Sequence, residues 1–285
     1  MLEVLKFLGV SATVKDHTIE VKNGNAPYTS IPLDVAAQLR TSSMVVGPLL
    51  ARLGEAKIPN PGGCRVGARP IDRHIEALRH MGATISYNSL DGYFYAKAKN
   101  LHGTTITFSK NTHTGTEALI LAAVLASGTT ILKNAAQEVE IDDLISCLNA
   151  MGAKIRRTRA REIVIEGVQV LHGIEYAIMP DRNEEVTFAV ASLVTGGNIV
   201  INNSQRDHLK AFLDVYSASG GAYEAVDDTT TRYFHNGKLS ATNVATAPYP
   251  GFMTDWQAPW AIAMTQAGGQ STIHETVFES RFSYV

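Results

Sequence analysis

A repeated pattern constrains the fold of this chain more than any other feature of its sequence. Short helical segments that end in glycine and lead into a strand recur, with their glycines at Gly9, Gly82, Gly152 and Gly221. A second, similar series lies out of phase with the first and has its glycines at Gly54, Gly128, Gly197 and Gly269. Both series step by about 70 residues, as a repeated supersecondary unit does. We predict that each glycine ends its helix in the left-handed conformation.

The units implied by this pattern run strand, helix, strand, helix, strand, strand, which predicts an α/β fold. Apolar residues at helical spacing precede two of the glycines, which gives each helix one buried stripe: Ile75, Leu78 and Met81, then Ile141, Leu144, Ile145, Leu148 and Met151. Residues 117–125 are apolar on nearly all sides and are predicted to form an enclosed helix. A polar break at residues 179–182 places a domain boundary between residues 1–178 and 179–285.

Length and charge exclude several classes of protein. With 285 residues, 45% of them hydrophobic, the chain can build two ordinary cores. A net charge of −2 without a long basic run argues against nucleic acid and anionic membranes as partners. Cys64 and Cys147 lack paired or zinc-type spacing, and no secretory leader is evident, so reduced thiols and a cytoplasmic location are expected.

Residues 59–82 form the strongest candidate for a chemical site. Cys64 follows a loop that is predicted to be flexible, made of Pro61, Gly62 and Gly63. Arg65 and Arg69 beside this thiol favour its thiolate form and attract phosphate. The alternative is an unreactive surface cysteine on a glycine turn. Cys147, on an apolar helical stripe, is interpreted as a small core residue.

The helix that follows Pro70 offers a second anion-binding feature. Its first N–H groups, around residues 71–73, have no intrahelical acceptors, and the helix dipole favours negative charge there. His74, one turn into this helix, is interpreted as a surface or packed histidine rather than a base.

Three further stretches carry polar groups suited to a phosphorylated sugar. Lys110 precedes a threonine-rich helix start whose hydroxyls can hold a diphosphate or can simply cap the helix: Thr112, Thr114 and Thr116. Asp255 precedes Trp256 and Trp260, so it is a candidate general base walled by aromatic rings, or else it caps a helix with Thr254. Arg281 either meets an anion or forms a surface ion pair.

These stretches, in this order, resemble the enolpyruvyl transferases of the EPSP synthase family, and most closely those that act on UDP-N-acetylglucosamine in peptidoglycan synthesis. The matching motifs are RTSSMVVGPLLARLG, PGGCRVGARPID, PDRNEEVTFAVA, PYPGFMTDWQA and ETVFESRF. The resemblance implies a two-domain inside-out α/β barrel of βαβαββ repeats, with substrates bound between the domains. Six such units need about 420 residues, so the barrel is expected to be incomplete at both termini of this chain.

The resemblance also implies a role for each matching residue. Cys64 resembles the loop cysteine that acts as a general acid on phosphoenolpyruvate, Arg69 the arginine that contacts its phosphate and carboxylate, and Arg40 a second arginine of that pocket. Asp255 resembles the base that faces the sugar 3′-hydroxyl, Val277 a sugar contact, and Arg281 a residue lining the cleft. The residues matching the UDP-sugar segments are Arg69, Pro70, Ile71, Asp72, Arg73, Lys110, Thr112 and His113.

The implied reaction is an addition followed by an elimination that releases phosphate, and it needs no metal or organic cofactor. The expected partners are UDP-N-acetylglucosamine and phosphoenolpyruvate, without nucleic acid or membrane. Departures from the family pattern leave alternatives open. The usual Ser-Val-Gly-Ala-Thr stretch is Thr-His-Thr-Gly-Thr at residues 112–116, and an N-terminal Lys-Asn pair and a C-terminal arginine have no counterpart. The alternatives are a non-catalytic relative that binds UDP-sugar and an enolpyruvyl transferase of aromatic biosynthesis.

Overall fold

The computed structural model describes residues 1–22, 28–63, 66–67, 69–235 and 237–285. The chain divides into two compact units. Unit 1 contains most residues up to Tyr176. Unit 2 contains the residues from Ala177 onward together with Val66, Gly67 and Glu138–Glu140. Each unit has its own cluster of buried apolar side chains.

Unit 1 alternates helices with short strands, as the repeat predicts. Its elements are α1 (Leu2–Phe7), β1 (Ser11–Lys15), β2 (Thr18–Lys22), α2 (Leu33–Ala37), a 3-10 helix (Arg40–Val45), α3 (Val46–Leu53), β3 (Glu55–Pro59), α4 (Asp72–His80), β4 (Thr84–Asn88), β5 (Tyr93–Lys97), β6 (Thr105–Thr107), α5 (His113–Ala123), β7 (Thr129–Lys133), α6 (Val139–Ala150), β8 (Lys154–Arg159) and β9 (Glu162–Glu166).

Within the described residues, the strands of unit 1 form three small sheets. Strands β1 and β2 pair as an antiparallel hairpin, and β3, β5 and β4 form an antiparallel sheet in that order. The third sheet has the order β6-β7-β9-β8, in which β6 runs parallel to β7. Helix α5 packs against α3, α4, β7 and β9, and its residues Leu119, Ile120 and Ala122 are completely buried. The prediction of an enclosed helix is therefore confirmed.

Unit 2 repeats the same alternation around an aromatic core. Its elements are α7 (Arg182–Thr195), β10 (Asn198–Asn202), a 3-10 helix (Arg206–Leu209), α8 (Lys210–Ala218), β11 (Gly221–Ala225), β12 (Thr230–His235), β13 (Val244–Ala245), a 3-10 helix (Thr254–Trp256), α9 (Gln257–Met264) and β14 (Ile273–His274). Strands β10, β12 and β11 form an antiparallel sheet in that order, and β13 pairs with β14 in parallel. Phe212, Tyr216, Tyr233, Trp256 and Trp260 are almost completely buried.

The predicted glycine series is confirmed in full at four positions and wrong at two. At Gly128 and Gly269 only the left-handed conformation is confirmed, because α5 and α9 already end at Ala123 and Met264. The left-handed glycines are Gly9, Gly54, Gly82, Gly128, Gly152 and Gly269. In the two Gly-Gly pairs it is the first glycine, Gly196 or Gly220, that has a positive φ, and not the predicted Gly197 or Gly221. Gly221 already begins β11, where an added Cβ would lie 2.4 Å from the Tyr216 ring. The first glycine of a pair therefore ends the helix, and the second allows close packing or begins the strand.

The predicted helical stripes are also largely confirmed. Ile75, Leu78 and Met81 are buried. In α6, Ile141, Ile145 and Leu148 are buried, whereas Leu144 and Met151 are only partly buried against the same core. In the described part of the chain, no helix combines the length and apolar character needed to cross a membrane.

Candidate active site

The loop that leads to Cys64 is attached to the end of α2 by its backbone. The N–H groups of Gly62 and Gly63 donate to the carbonyls of Ala36 and Ala37, at 3.1 and 3.3 Å. A Cβ on Gly62 would lie 1.6 Å from the Ala37 carbonyl oxygen, so only glycine allows this approach. The predicted flexible loop is therefore held by hydrogen bonds as far as Gly63. Cys64 and Arg65 lie outside the described residues.

Two arginines come together beside this loop. Arg40 begins the 3-10 helix Arg40–Val45, and its guanidinium donates to the backbone carbonyl of Arg69. Burial, and secondly the charge of Arg69, lowers the pKa of the Arg40 guanidinium. A pair of partly buried like charges is electrostatically unfavourable, and an anion bound against the pair would relieve the repulsion. The two side chains expected to contact phosphoenolpyruvate from this unit are thus neighbours.

The start of α4 presents its candidate residues in different ways. Pro70 and Asp72 are exposed, and Arg73 is half-buried. Ile71 is the N-cap residue, and its side chain is 3% exposed within the core of unit 1. Ile71 can therefore reach a ligand only through its backbone. Because an isoleucine cap supplies no acceptor, the first N–H groups of the helix lack a side-chain partner from the cap.

The threonines at the start of α5 hold the helix itself. Thr112 is the N-cap residue, and its Oγ1 accepts from the Gly115 N–H at 3.2 Å. Thr116 Oγ1 donates to the Thr112 carbonyl at 2.8 Å and accepts from the Ala136 N–H at 3.0 Å. Thr112 therefore caps the helix, as the alternative interpretation proposes. Thr116 is buried, so its hydroxyl is not available to a diphosphate.

The two other polar candidates near the start of α5, Lys110 and His113, have exposed or half-buried side chains. Lys110 is exposed, and His113 Nε2 lies 3.4 Å from Glu117 Oε1. A lysine ammonium beside a helix N-terminus suits an anionic ligand.

His74 lies where the candidate segments of unit 1 converge. Its side chain is 3% exposed, and neither ring nitrogen makes a well-formed hydrogen bond within the described residues, although the Thr114 backbone is near enough to affect it. Burial, then the charge of Arg40 and more weakly that of Arg73, lowers the pKa of His74 to about 4, against smaller opposite effects of Thr114 and Glu117. His74 is therefore a packed, neutral histidine in the first turn of α4, close enough to Arg40 and to Thr114 of α5 for both to affect its pKa.

We expect the stability of the chain to depend on pH through His74. Between the ordinary pKa of 6.5 and about 4, the unfolded chain binds a proton that the folded chain excludes. Stability therefore falls as the pH decreases through this window, by about 3 kcal/mol in total, and is unaffected by His74 above it. The stability lost between pH 7 and pH 4, measured by urea unfolding, should be smaller in His74→Gln than in the parent by about this amount. The exposed His80→Gln is the control, and an unchanged pH dependence in His74→Gln would contradict the assignment.

In unit 2, the candidate base is paired with the candidate cleft arginine. Asp255 lies in the 3-10 helix Thr254–Trp256, and its Oδ1 accepts from Arg281 Nη2 at 2.8 Å. The Asp255 side chain is 48% exposed, whereas Trp256 and Trp260 are buried in the core. The predicted aromatic wall around Asp255 is therefore wrong. The capping alternative is wrong as well, because the cap positions of this turn and of α9 show no side-chain hydrogen bond.

The turn that carries Asp255 is anchored on the start of α7 by residues that the sequence reasoning missed. Trp256 Nε1 donates to Asn183 Oδ1 at 2.9 Å. Arg182 is 3% exposed, pairs with both carboxylate oxygens of Glu140 at 2.8 and 2.9 Å, and lies over the rings of Tyr249 and Trp256. The available signals are the polar run at residues 179–182 and the motif PDRNEEVTFAVA, which predict a domain boundary and a family resemblance but give no role to Arg182 or Asn183.

Chemically, the two units offer complementary groups. Unit 1 presents guanidinium groups, a lysine and helix N–H groups, all of which bind phosphate or carboxylate oxygens. Unit 2 presents an accessible carboxylate that can accept a proton, next to a guanidinium that can stabilise charge. Val277 lies in the same unit, where its N–H donates to Glu275.

Comparisons with known proteins identify the same group of proteins. The family model described as EPSP synthase (3-phosphoshikimate 1-carboxyvinyltransferase) matches residues 1–285. A UDP-N-acetylglucosamine 1-carboxyvinyltransferase of Methylobacterium radiotolerans is 44% identical over 96% of this chain and 63% of its own length. One of Hydrogenovibrio crunogenus is 40% identical over 100% of this chain and 68% of its own length. The chain thus spans about two thirds of the length of these relatives.

Solved structures show the same fold at lower identity. The enolpyruvyl transferase NikO from Streptomyces tendae superimposes with a TM-score of 0.85 at 21% identity, over 99% of this chain and 67% of its own. EPSP synthase from Acinetobacter baumannii gives a TM-score of 0.66 at 16% identity, over 95% of this chain and 64% of its own. The fold is therefore the mixed α/β fold of enolpyruvyl transferases.

Proposed function

The chain belongs to the EPSP synthase (3-phosphoshikimate 1-carboxyvinyltransferase) family, and from this premise we propose that it transfers the enolpyruvyl group of phosphoenolpyruvate to the 3′-hydroxyl of UDP-N-acetylglucosamine. The relatives at 40–44% identity are named for this substrate. The observation that carries the proposal is the Arg40–Arg69 pair beside the α4 start. Such a pair suits a ligand with several negative charges, as phosphoenolpyruvate is.

On this proposal, residues 1–178 form the domain that holds phosphoenolpyruvate and the nucleotide. Arg40 and Arg69 bind the phosphate and carboxylate of phosphoenolpyruvate, and Cys64, outside the described residues, is the acid that protonates its C3. The residues that hold the UDP-sugar are Arg69, Pro70, Ile71, Asp72, Arg73, Lys110, Thr112 and His113. For Ile71 the contact is through the backbone, because its side chain is buried. Thr112 contacts the ligand with a hydroxyl that also caps α5.

Residues 179–285 form the domain that holds the reacting hydroxyl. Asp255 removes the proton of the sugar 3′-hydroxyl as this oxygen attacks C2 of phosphoenolpyruvate. Arg281 already occupies Oδ1 of Asp255, and the second carboxylate oxygen is the one that faces the hydroxyl. Arg281 then stabilises the charge of the carboxylate, and Val277 contacts the sugar ring.

The reaction balances as an addition and an elimination. Attack of the hydroxyl oxygen on C2 and protonation of C3 give a tetrahedral ketal that still carries phosphate. Loss of phosphate from C2 with removal of a proton from C3 leaves the enol ether. The arginines stabilise phosphate and carboxylate charge in both steps. The product would enter peptidoglycan synthesis in the cytoplasm.

Binding measurements on an arginine variant test this proposal. Removing a guanidinium that forms charge-assisted hydrogen bonds costs about 1.5–3 kcal/mol, so Arg69→Ala should bind phosphoenolpyruvate and UDP-N-acetylglucosamine about 10- to 100-fold more weakly by calorimetry. Arg52→Ala removes an exposed arginine of the same unit and should bind as the parent does. Equal affinities of Arg69→Ala and the parent for both ligands would overturn the proposal.

A further inference from the structure

Glu275 accepts four hydrogen bonds from two different segments of unit 2. Its Oε2 accepts from Thr254 Oγ1 at 2.9 Å and from Gln257 Nε2 at 2.8 Å. Its Oε1 accepts from the backbone N–H groups of Val277 at 2.6 Å and Phe278 at 2.8 Å. One carboxylate therefore joins the turn that carries Asp255 to the segment that follows β14.

The two segments joined by Glu275 are the ones that carry the Asp255–Arg281 pair. Thr254 immediately precedes Asp255, and Phe278 lies three residues before Arg281. The 2.8 Å hydrogen bond from Arg281 to Asp255 is a second, direct link between the same two segments. A shift of either segment by about 1 Å would separate the pair or turn the carboxylate away from its present direction.

We propose that Glu275 is a positioning residue that holds Asp255 and Arg281 in their relative geometry. This inference rests on the proposed function, because it assigns to Glu275 the task of presenting the base to the sugar hydroxyl. Both oxygens of Glu275 are taken up by the Thr254 and Gln257 side chains and by two backbone N–H groups, so Glu275 acts through Asp255. The carboxylate is suited to the task because both of its oxygens accept hydrogen bonds.

Removing this carboxylate leaves all four donors without their acceptor. In Glu275→Ala the Val277 and Phe278 N–H groups lose Oε1, and the Thr254 hydroxyl and the Gln257 amide lose Oε2. Gln257 is completely buried and Thr254 is 8% exposed, so neither can turn to water instead.

A double-mutant cycle on ligand affinity tests the proposal. Calorimetry with UDP-N-acetylglucosamine should show about tenfold weaker binding by Glu275→Ala in the parent background, the size of one lost charge-assisted hydrogen bond. In the Asp255→Ala background the same change should weaken binding less than about threefold, because the group it positions is gone. Glu279→Ala, which removes an exposed glutamate of the same segment, is the control and should bind as the parent does.

Equal weakening in both backgrounds, or no weakening in either, would overturn the positioning role. If the parent chain binds no UDP-N-acetylglucosamine, the proposed function fails, and amide hydrogen exchange then tests the contact itself. The Val277 and Phe278 amides should exchange at least about tenfold faster in Glu275→Ala than in the parent. Unchanged exchange at both amides would show that Glu275 does not hold this segment.

Discussion

Replacing Asp255 with asparagine should lower the rate of phosphate release in the presence of UDP-N-acetylglucosamine by about 10³-fold, the middle of the range for a lost general base. Asparagine has the same shape and keeps one oxygen that can accept from Arg281, which now pairs with Asp255 at 2.8 Å. It cannot take up the hydroxyl proton. With its oxygen on Arg281, the asparagine turns its NH2 group toward the sugar hydroxyl, whose oxygen can accept from it, so affinity for the UDP-sugar should change less than about threefold.

The measurement is a steady-state phosphate assay of both proteins at saturating substrates, with affinities from calorimetry. Asp214→Asn serves as the control, because Asp214 is an exposed aspartate of α8 that also pairs with a cation, Lys210. A rate for Asp255→Asn above about a tenth of the parent rate would be too high for loss of the base and would remove Asp255 from that role.

Replacing Trp256 with alanine should lower the free energy of unfolding by about 4 kcal/mol, as large-to-small changes of buried aromatic residues do. Trp256 is 1% exposed, with its ring 5.9 Å from that of Phe212 and 5.4 Å from that of Phe252, between centroids. Alanine removes these contacts and the hydrogen bond to Asn183 together. Trp256→Phe keeps most of the apolar contact and leaves the Asn183 amide oxygen without its donor, which should cost about 1–2 kcal/mol.

Urea unfolding at pH 7, followed by circular dichroism, measures both losses. A difference below about 1 kcal/mol between Trp256→Ala and the parent would contradict the central position of this ring in the core of unit 2. A fluorescence probe is unsuitable, because the substitution removes one of the two tryptophans of the chain.

The order of helices and strands was predictable from the sequence because a glycine after an apolar stripe is a local signal. Gly82 and Gly152 end their helices as that signal requires. At the Gly-Gly pairs the signal is ambiguous by one residue. The choice of Gly220 over Gly221 depends on the Tyr216 ring, which packs where a Cβ of Gly221 would lie. A contact of this kind is not visible in local sequence.

The candidate site was predictable as a set of motifs but not as a set of contacts. Arg40 and Arg69 are 29 positions apart, and the fold alone brings the guanidinium of one to the carbonyl of the other. The contacts of Glu275 with Thr254 and Gln257 likewise cross 21 and 18 positions. The burial of His74 could be predicted from helical spacing, because His74 and Leu78 lie four residues apart on one face of α4.

Release of inorganic phosphate from phosphoenolpyruvate, measured with and without UDP-N-acetylglucosamine, decides whether this chain transfers the enolpyruvyl group. Enolpyruvyl transfer predicts release only when both substrates are present, and loss of this release in Cys64→Ala. Release that does not depend on the sugar, or binding of the UDP-sugar without any release, would contradict enolpyruvyl transfer by this chain. The second result would leave a family member that binds the nucleotide sugar without performing the chemistry.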